Sequence, residues 1–284
     1  MKVCFSLLIS TFFCFAAGAN VHTYVGSTPA HDVIRHFLQI SPTDSIDFIR
    51  WKLEIGSGIF QLQCRYGLAQ PGTPGFSNEQ RVAFEGELTK SESYYYLKHK
   101  GKSLSILEVN ANVLHLLDGS NRMLSGNGGY SYALNSTRPV EVDKVNISTA
   151  QTSNKSPLVF EGRTPCRELP ALLGLNKSDA CNKMKWYFLF YSDSVTGKPS
   201  YYLMGGMGYR KETMARGKWQ IITESDGRII YRVYSDKWVR SLDLLKGDDN
   251  ILFFIDAVGR LLVGNKDFSY TLNRRKEEYL PVKR

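Results

Sequence analysis

The stretch NILFFIDAVGRLLVGNKDFSYTLN, Asn250–Asn273, repeats NVLHLLDGSNRMLSGNGGYSYALN, Asn112–Asn135, without a gap and at a constant offset of 138. Eleven of the 24 columns are identical, more than shared strand composition supplies. The match continues upstream. Ser103-Leu104 faces Ser241-Leu242, Ile49-Arg50-Trp51 faces Met184-Lys185-Trp186, and Gly26-Ser27-Thr28-Pro29 faces Gly162-Arg163-Thr164-Pro165. The chain therefore reads as an internal duplication over 24–137 and 160–275. A period of about 137 is far longer than a solenoid or propeller unit, so each copy is expected to be a domain with its own core. Between them, the polar stretch 138–159 has no sustained apolar period and reads as a linker. Residues 276–284 read as a tail.

Strand signals dominate both copies. Trp186, Phe188 and Phe190 alternate in KWYFLFYSD, GRIIYRVYSD is rich in β-branched and aromatic residues, and turn clusters such as SDSVTGKPS and LKGDDN divide the runs. Tyr130, Tyr132 and Leu134 alternate at the end of copy 1, as do Phe268, Tyr270 and Leu272 in copy 2, predicting a terminal strand with one apolar face. HDVIRHFLQI and RELPALLGL predict a short helix at the start of each copy. A meander of short strands with this many aromatics predicts a mainly β protein of two tandem, small antiparallel β-barrels. Eight strands would enclose packed side chains or one small ligand.

The first 19 residues combine one lysine, an apolar run and Ala17-Gly18-Ala19, the parts of a secretory signal peptide. The run is short for a membrane span. A secreted or periplasmic chain with peripheral envelope association, and no transmembrane segment after cleavage, is the expectation. Cleavage leaves Cys64, Cys166 and Cys181. Cys166 and Cys181 face Ala30 and Ile46, so both thiols are missing from copy 1 together, which points to a disulfide between them. Cys64 alternates with Phe60, Leu62 and Tyr66 and reads as a buried small hydrophobe.

The net charge of +9 is not concentrated: copy 1 has ten basic and ten acidic residues, copy 2 (160–273) seventeen and thirteen. A nucleic-acid surface would want a basic stripe with stacking aromatics, so no nucleic-acid partner is expected. Asp118 and Asp256 recur at the same place, but each opens a turn between two strand patterns, where a carboxylate caps backbone amides. Asn121 and Gly259 stand where such a turn needs a positive φ. None of the five histidines stands at hydrolase spacing from a nucleophile, and no catalytic residues are assigned. The Asn-x-Ser/Thr triplets at Asn135, Asn146 and Asn176 are glycosylation acceptors only in a eukaryotic host.

From Gly217-Lys218-Trp219, through RSLDLL (Arg240–Leu245), to FFIDAVGRLLVGNKDFSYTLN, copy 2 resembles the N-terminal domain of the copper-resistance lipoprotein family NlpE. RTPCRELPALL is similar to that family's Pro-Cys segment. The resemblance implies lipocalin-like barrels, residence in the bacterial envelope, stress signalling and copper as the one candidate cofactor. Where the family has Cys-x-x-Cys, this chain reads Cys166-Arg-Glu-Leu169, and copy 1 has Gly86-Glu-Leu88 in place of Gly-x-Trp.

The function expected is non-catalytic binding of a small ligand or an envelope protein. Alternatives are a Cu(I) site on soft ligands, with Cys166, Met204 and Met207 as candidates beside Met214 and Cys181, and, ranked last, an enzyme whose site no motif marks. The plainer reading is that these methionines fill gaps in a barrel core.

Overall fold

In the computed structural model, residues 21–147, 157–175, 181–205 and 214–275 are described. The signal segment 1–19, Met207, Asn176, residues 148–156 of the linker and the tail 276–284 lie outside them.

Copy 1 runs β1 (His22–Thr28), α1 (Asp32–Leu38), β2 (Phe48–Ile55), β3 (Ile59–Gly67), β4 (Gln80–Ser91), β5 (Tyr94–His99), β6 (Lys102–Asn110), β7 (Val113–Leu116) and β8 (Ala133–Ser136). Copy 2 repeats it: β9 (Leu158–Pro165), α2 (Leu169–Leu173), β10 (Lys183–Ser192), β11 (Pro199–Gly205), β12 (Ala215–Thr223), β13 (Ile229–Val233), β14 (Leu242–Lys246), β15 (Ile251–Ile255) and β16 (Thr271–Arg274). Each set pairs antiparallel in sequence order and closes on itself, giving two eight-stranded barrels as expected.

Closure explains the upstream identities. Strand β1 meets β8 at Val25↔Asn135, and β9 meets β16 at Glu161↔Asn273. A Cβ on Gly26 would stand 2.7 Å from the Ala133 carbonyl, and one on Gly162 2.6 Å from that of Thr271, so only glycine admits the closing strand this near. In the same two motifs Trp51 Nε1 donates to Thr28 Oγ1 and Trp186 Nε1 to Thr164 Oγ1, both at 2.9 Å. Each buried indole is thereby satisfied inside its barrel.

The helices exist, but as the second element of each copy, after β1 and β9, because the first strand must pair on both sides to close the barrel. Helix α1 is capped by His31, whose Nδ1 accepts from the Val33 amide, and it ends on Gln39 at φ 58°. Its Ile34, Phe37 and Leu38 enter the barrel core. Helix α2 carries Pro170 in its first turn, ends on Gly174 at φ 69° and buries Leu169 and Leu173. The terminal strands are also shorter than the alternation predicts. Asn127 Oδ1 accepts from the Gly129 and Tyr130 amides, and Asn265 Oδ1 from those of Asp267 and Phe268, so a turn occupies these positions. Tyr132 and Tyr270 still enter the cores, whereas Tyr130 and Phe268 do not.

Side chains fill both interiors. Trp51, Phe60, Leu62, Cys64, Leu97 and Ile106 are buried in copy 1, and Phe188, Phe190, Tyr202, Val233, Leu244 and Phe254 in copy 2. Each fully buried aliphatic or phenyl side chain stabilises by about 1.5–3 kcal/mol relative to exposure. The alternation of Trp186, Phe188 and Phe190 is confirmed, yet Tyr187, Leu189 and Leu203 are buried on the outer face as a separate cluster.

Candidate functional site

The two barrels meet at a seam built from the duplicated stretch itself. The outer faces of β6 and β7 and those of β14 and β15 share one apolar cluster, in which Leu107, Val113 and Leu117 correspond to Leu245, Ile251 and Ile255. Polar contacts across it obey the 138-residue offset. The Gly126 amide donates to Asn273 Oδ1 at 2.7 Å, and the Gly264 amide to Asn135 Oδ1 at 2.8 Å. The hydroxyls of Ser131 and Ser269 bond to each other, Tyr130 stacks on Phe268, and His115 meets Phe253 edge-on. Each pair exchanges under a pseudo-twofold relation, the arrangement of a symmetric homodimer within one chain. Ser131, Asn135 and their counterparts are identical between the copies, and each side thus supplies the same surface, while Gly126 and Gly264 are required by their own turns, where a Cβ would stand 2.1 and 2.4 Å from the Tyr130 and Phe268 carbonyls.

The linker begins on this seam. The Asn112 side chain donates to the Val140 carbonyl and accepts from its amide, and the Asn146 amide donates to the Val109 carbonyl, so residues 138–147 lie against copy 1 rather than free of it. Copy 2 starts at Leu158, inside the segment expected to be linker.

With the interiors filled, the concave space described lies outside the barrels. A cleft of about 680 Å³ is lined by Val25, Asn112, Ser136, Thr137 and residues 139–142 from copy 1 and its linker, and by Arg167, Glu168, Asp256 and residues 260–267 from copy 2. Arg260 bonds to Glu141 and, at 3.1 Å, to Asp256, tying the linker to copy 2. Burial pushes the Asp256 carboxyl up, but the Arg260 and Val258 amides and the Arg260 guanidinium outweigh it and hold it below its ordinary range. Burial lifts the Glu168 carboxyl, with Arg167 opposing and Asp256 adding to the rise. The cleft thus offers charges of both signs beside the apolar Val140 and Leu261. A second cavity of about 530 Å³, sharing Arg167, Asn265 and Asp267 with the first, is lined also by Arg50, Tyr130, Lys183 and Phe268. Other depressions lie on single copies, such as that around Lys218, Trp219 and Trp238.

Cys166 and Cys181 form the expected disulfide, with Cα atoms 5.8 Å apart. Cys166 in that bond is not a free thiolate, and Met204 packs on the copy 2 core, so the two described members of the candidate Cu(I) set both have structural roles. Among the described residues no group of three or more His, Cys, Asp or Glu side chains is placed to hold a metal. Cys64 is free and buried, and burial pushes its thiol well up. Asp118 Oδ1 accepts from the Ser120 and Arg122 amides, and Asp256 Oδ1 from those of Val258 and Arg260, so both are turn caps. Asn121 and Gly259 have φ 57° and 85°, as the turns require.

The seam and cleft were not among the residues singled out from sequence. A signal existed: Asn135 is identical to its counterpart Asn273 although neither an apolar core nor turn capping demands it. The chain matches no protein-family model, no curated protein and no solved structure.

Proposed function

We propose that this chain is an exported, non-catalytic binding protein of the bacterial envelope that takes a small ligand or a segment of a partner protein in the cleft between its two barrels. The filled interiors are the observation that carries this reading, since they leave space of ligand size outside the barrels, and the inter-barrel cleft joins walls of both copies with the charges of Glu141 from the linker and of Arg167, Glu168, Asp256 and Arg260 from copy 2. The disulfide supports export, because such bonds persist in oxidising compartments. The resemblance of copy 2 to the NlpE family supports the envelope. No helix among the described residues is long and apolar enough to cross a membrane.

The test is native mass spectrometry of the exported protein, with an envelope pull-down, comparing wild type with Val140→Trp. The indole would occupy the cleft from the exposed Val140 position. A retained compound or partner that Val140→Trp releases supports the reading. Nothing retained by wild type, or retention unchanged in the variant, overturns it.

A further inference from the structure

The pseudo-twofold relation breaks around Arg50. Arg50 of copy 1 reaches across the seam to Asp267, its side chain 10% exposed, while its guanidinium also bonds to the Pro74 carbonyl. By the offsets of the duplication, Lys185 corresponds to Arg50 and Gly129 to Asp267. On the second side of the seam the cation is kept and its carboxylate is missing.

Two more cations crowd that position. Arg163 on β9 stands directly opposite Lys185 on β10 in the ladder, and Lys183 lies two residues away on the same face. Like charges facing each other across strands destabilise a sheet. Burial and then Arg163 lower the Lys183 ammonium, and Lys185 is lowered by burial, Arg163 and Lys183 in that order. The nearest carboxylate on the β9 face, Glu161, is held by Arg275 at 3.3 Å, and no acid within bonding distance of Arg163, Lys183 or Lys185 is found among the described residues. Lys183 lies 5.5 Å over the Phe268 ring and borders the 530 Å³ cavity with Arg50 and Arg167. Tyr130, in the same wall, feels the charges of both Arg163 and Arg50.

We infer that Arg163, Lys183 and Lys185 form a binding site for a phosphate group, whose negative charge takes the place of the carboxylate missing at Gly129. A dianion bonded by a guanidinium fork and two ammonium groups answers a repulsion that no acid among the described residues compensates. The inference goes beyond the cleft reading, because none of these three cations lines the 680 Å³ cleft, and the site stands or falls by itself.

The duplication also supplies the test. Gly129→Asp restores the counterpart of Asp267: a Cβ there stands 3.6 Å from Arg163 Nη1, and copy 2 already holds an aspartate at the equivalent point of the same turn. The full exported chain is titrated with inorganic phosphate by calorimetry, and separately sedimented with phosphatidylcholine vesicles with and without phosphatidylglycerol. Wild type is expected to bind one of these phosphates saturably, and Gly129→Asp and Lys185→Gln each to weaken it by about tenfold or more, the loss of one charge-assisted contact. Both variants should melt no lower than wild type, since each relieves repulsion. Phosphate binding lost in the variants assigns a free ligand; binding only to phosphatidylglycerol vesicles, lost likewise, assigns a lipid headgroup. Wild type binding neither probe, or variants binding as wild type does, overturns the inference. If a compound is still released by Val140→Trp in that case, the cleft reading survives and only the phosphate site falls.

Discussion

Ser131 and Ser269, 138 positions apart, bond hydroxyl to hydroxyl at 2.5 Å in the buried seam, each being the duplicate of the other. A residue touching its own duplicate places the pseudo-twofold axis beside it. Contacts away from that axis occur twice where both copies carry the same residues, as the Asn–Gly bonds do.

Asn135→Ala and Asn273→Ala should therefore have matching effects. Each leaves one glycine amide unpaired in the seam, at a cost of about 1–2 kcal/mol in urea unfolding. If one variant is destabilised and the other is neutral, the two halves do not hold each other symmetrically.

His115 sits in the seam where copy 2 has Phe253, fully buried, and burial lowers its pKa from 6.5 to about 4 despite the bond to the Leu116 carbonyl. The unfolded chain takes up a proton below about pH 6.5 that the native seam refuses until about pH 4. Stability is thus lost as pH falls through that window and unaffected by this group above it. His115→Phe removes the effect, so the variant's stability relative to wild type should rise by on the order of 3 kcal/mol between neutral pH and pH 4. Parallel stability–pH curves for the two proteins would contradict the placement of His115.

Gly26→Ala and Gly162→Ala test closure. Either methyl would stand under 3 Å from a backbone carbonyl of the closing strand, which cannot retreat without losing ladder bonds. A loss of about 2 kcal/mol is expected for each, measured by thermal or urea denaturation. A neutral result would mean that the barrel closes more loosely than this.

Thiol titration of the chain lacking residues 1–19 should find one group after denaturation, Cys64, and three after reduction. Reduction should lower the stability of copy 2 by about 3 kcal/mol, the chain-entropy value for a loop of 15 residues. Three titratable thiols before reduction would show the bond unformed.

The barrels, the disulfide, the Asp118 and Asp256 turns and the buried Cys64 were legible because each is encoded locally, in alternation, spacing or a paired absence. The first strand of each copy was harder to place, since VHTYVGST and LVFEGRTP are recognisable only by the partner that closes on them far along the chain. Tyr130 and Phe268 continue the alternation of the last strand and yet leave it, because Asn127 and Asn265 bend the backbone just before. The cleft was not legible: Arg167 and the Asp256–Arg260 turn meet only in the folded copy 2, and Glu141 and the copy 1 wall reach them only through the docking of the linker and of one barrel on the other.

Two halves that meet face to face as separate chains would part on dilution. Here the connection between Ser136 and Leu158 keeps each half near the other at an effective concentration in the millimolar range, set by tether length and not by expression level. One half can then differ from the other without losing its mate, as Gly129 differs from Asp267.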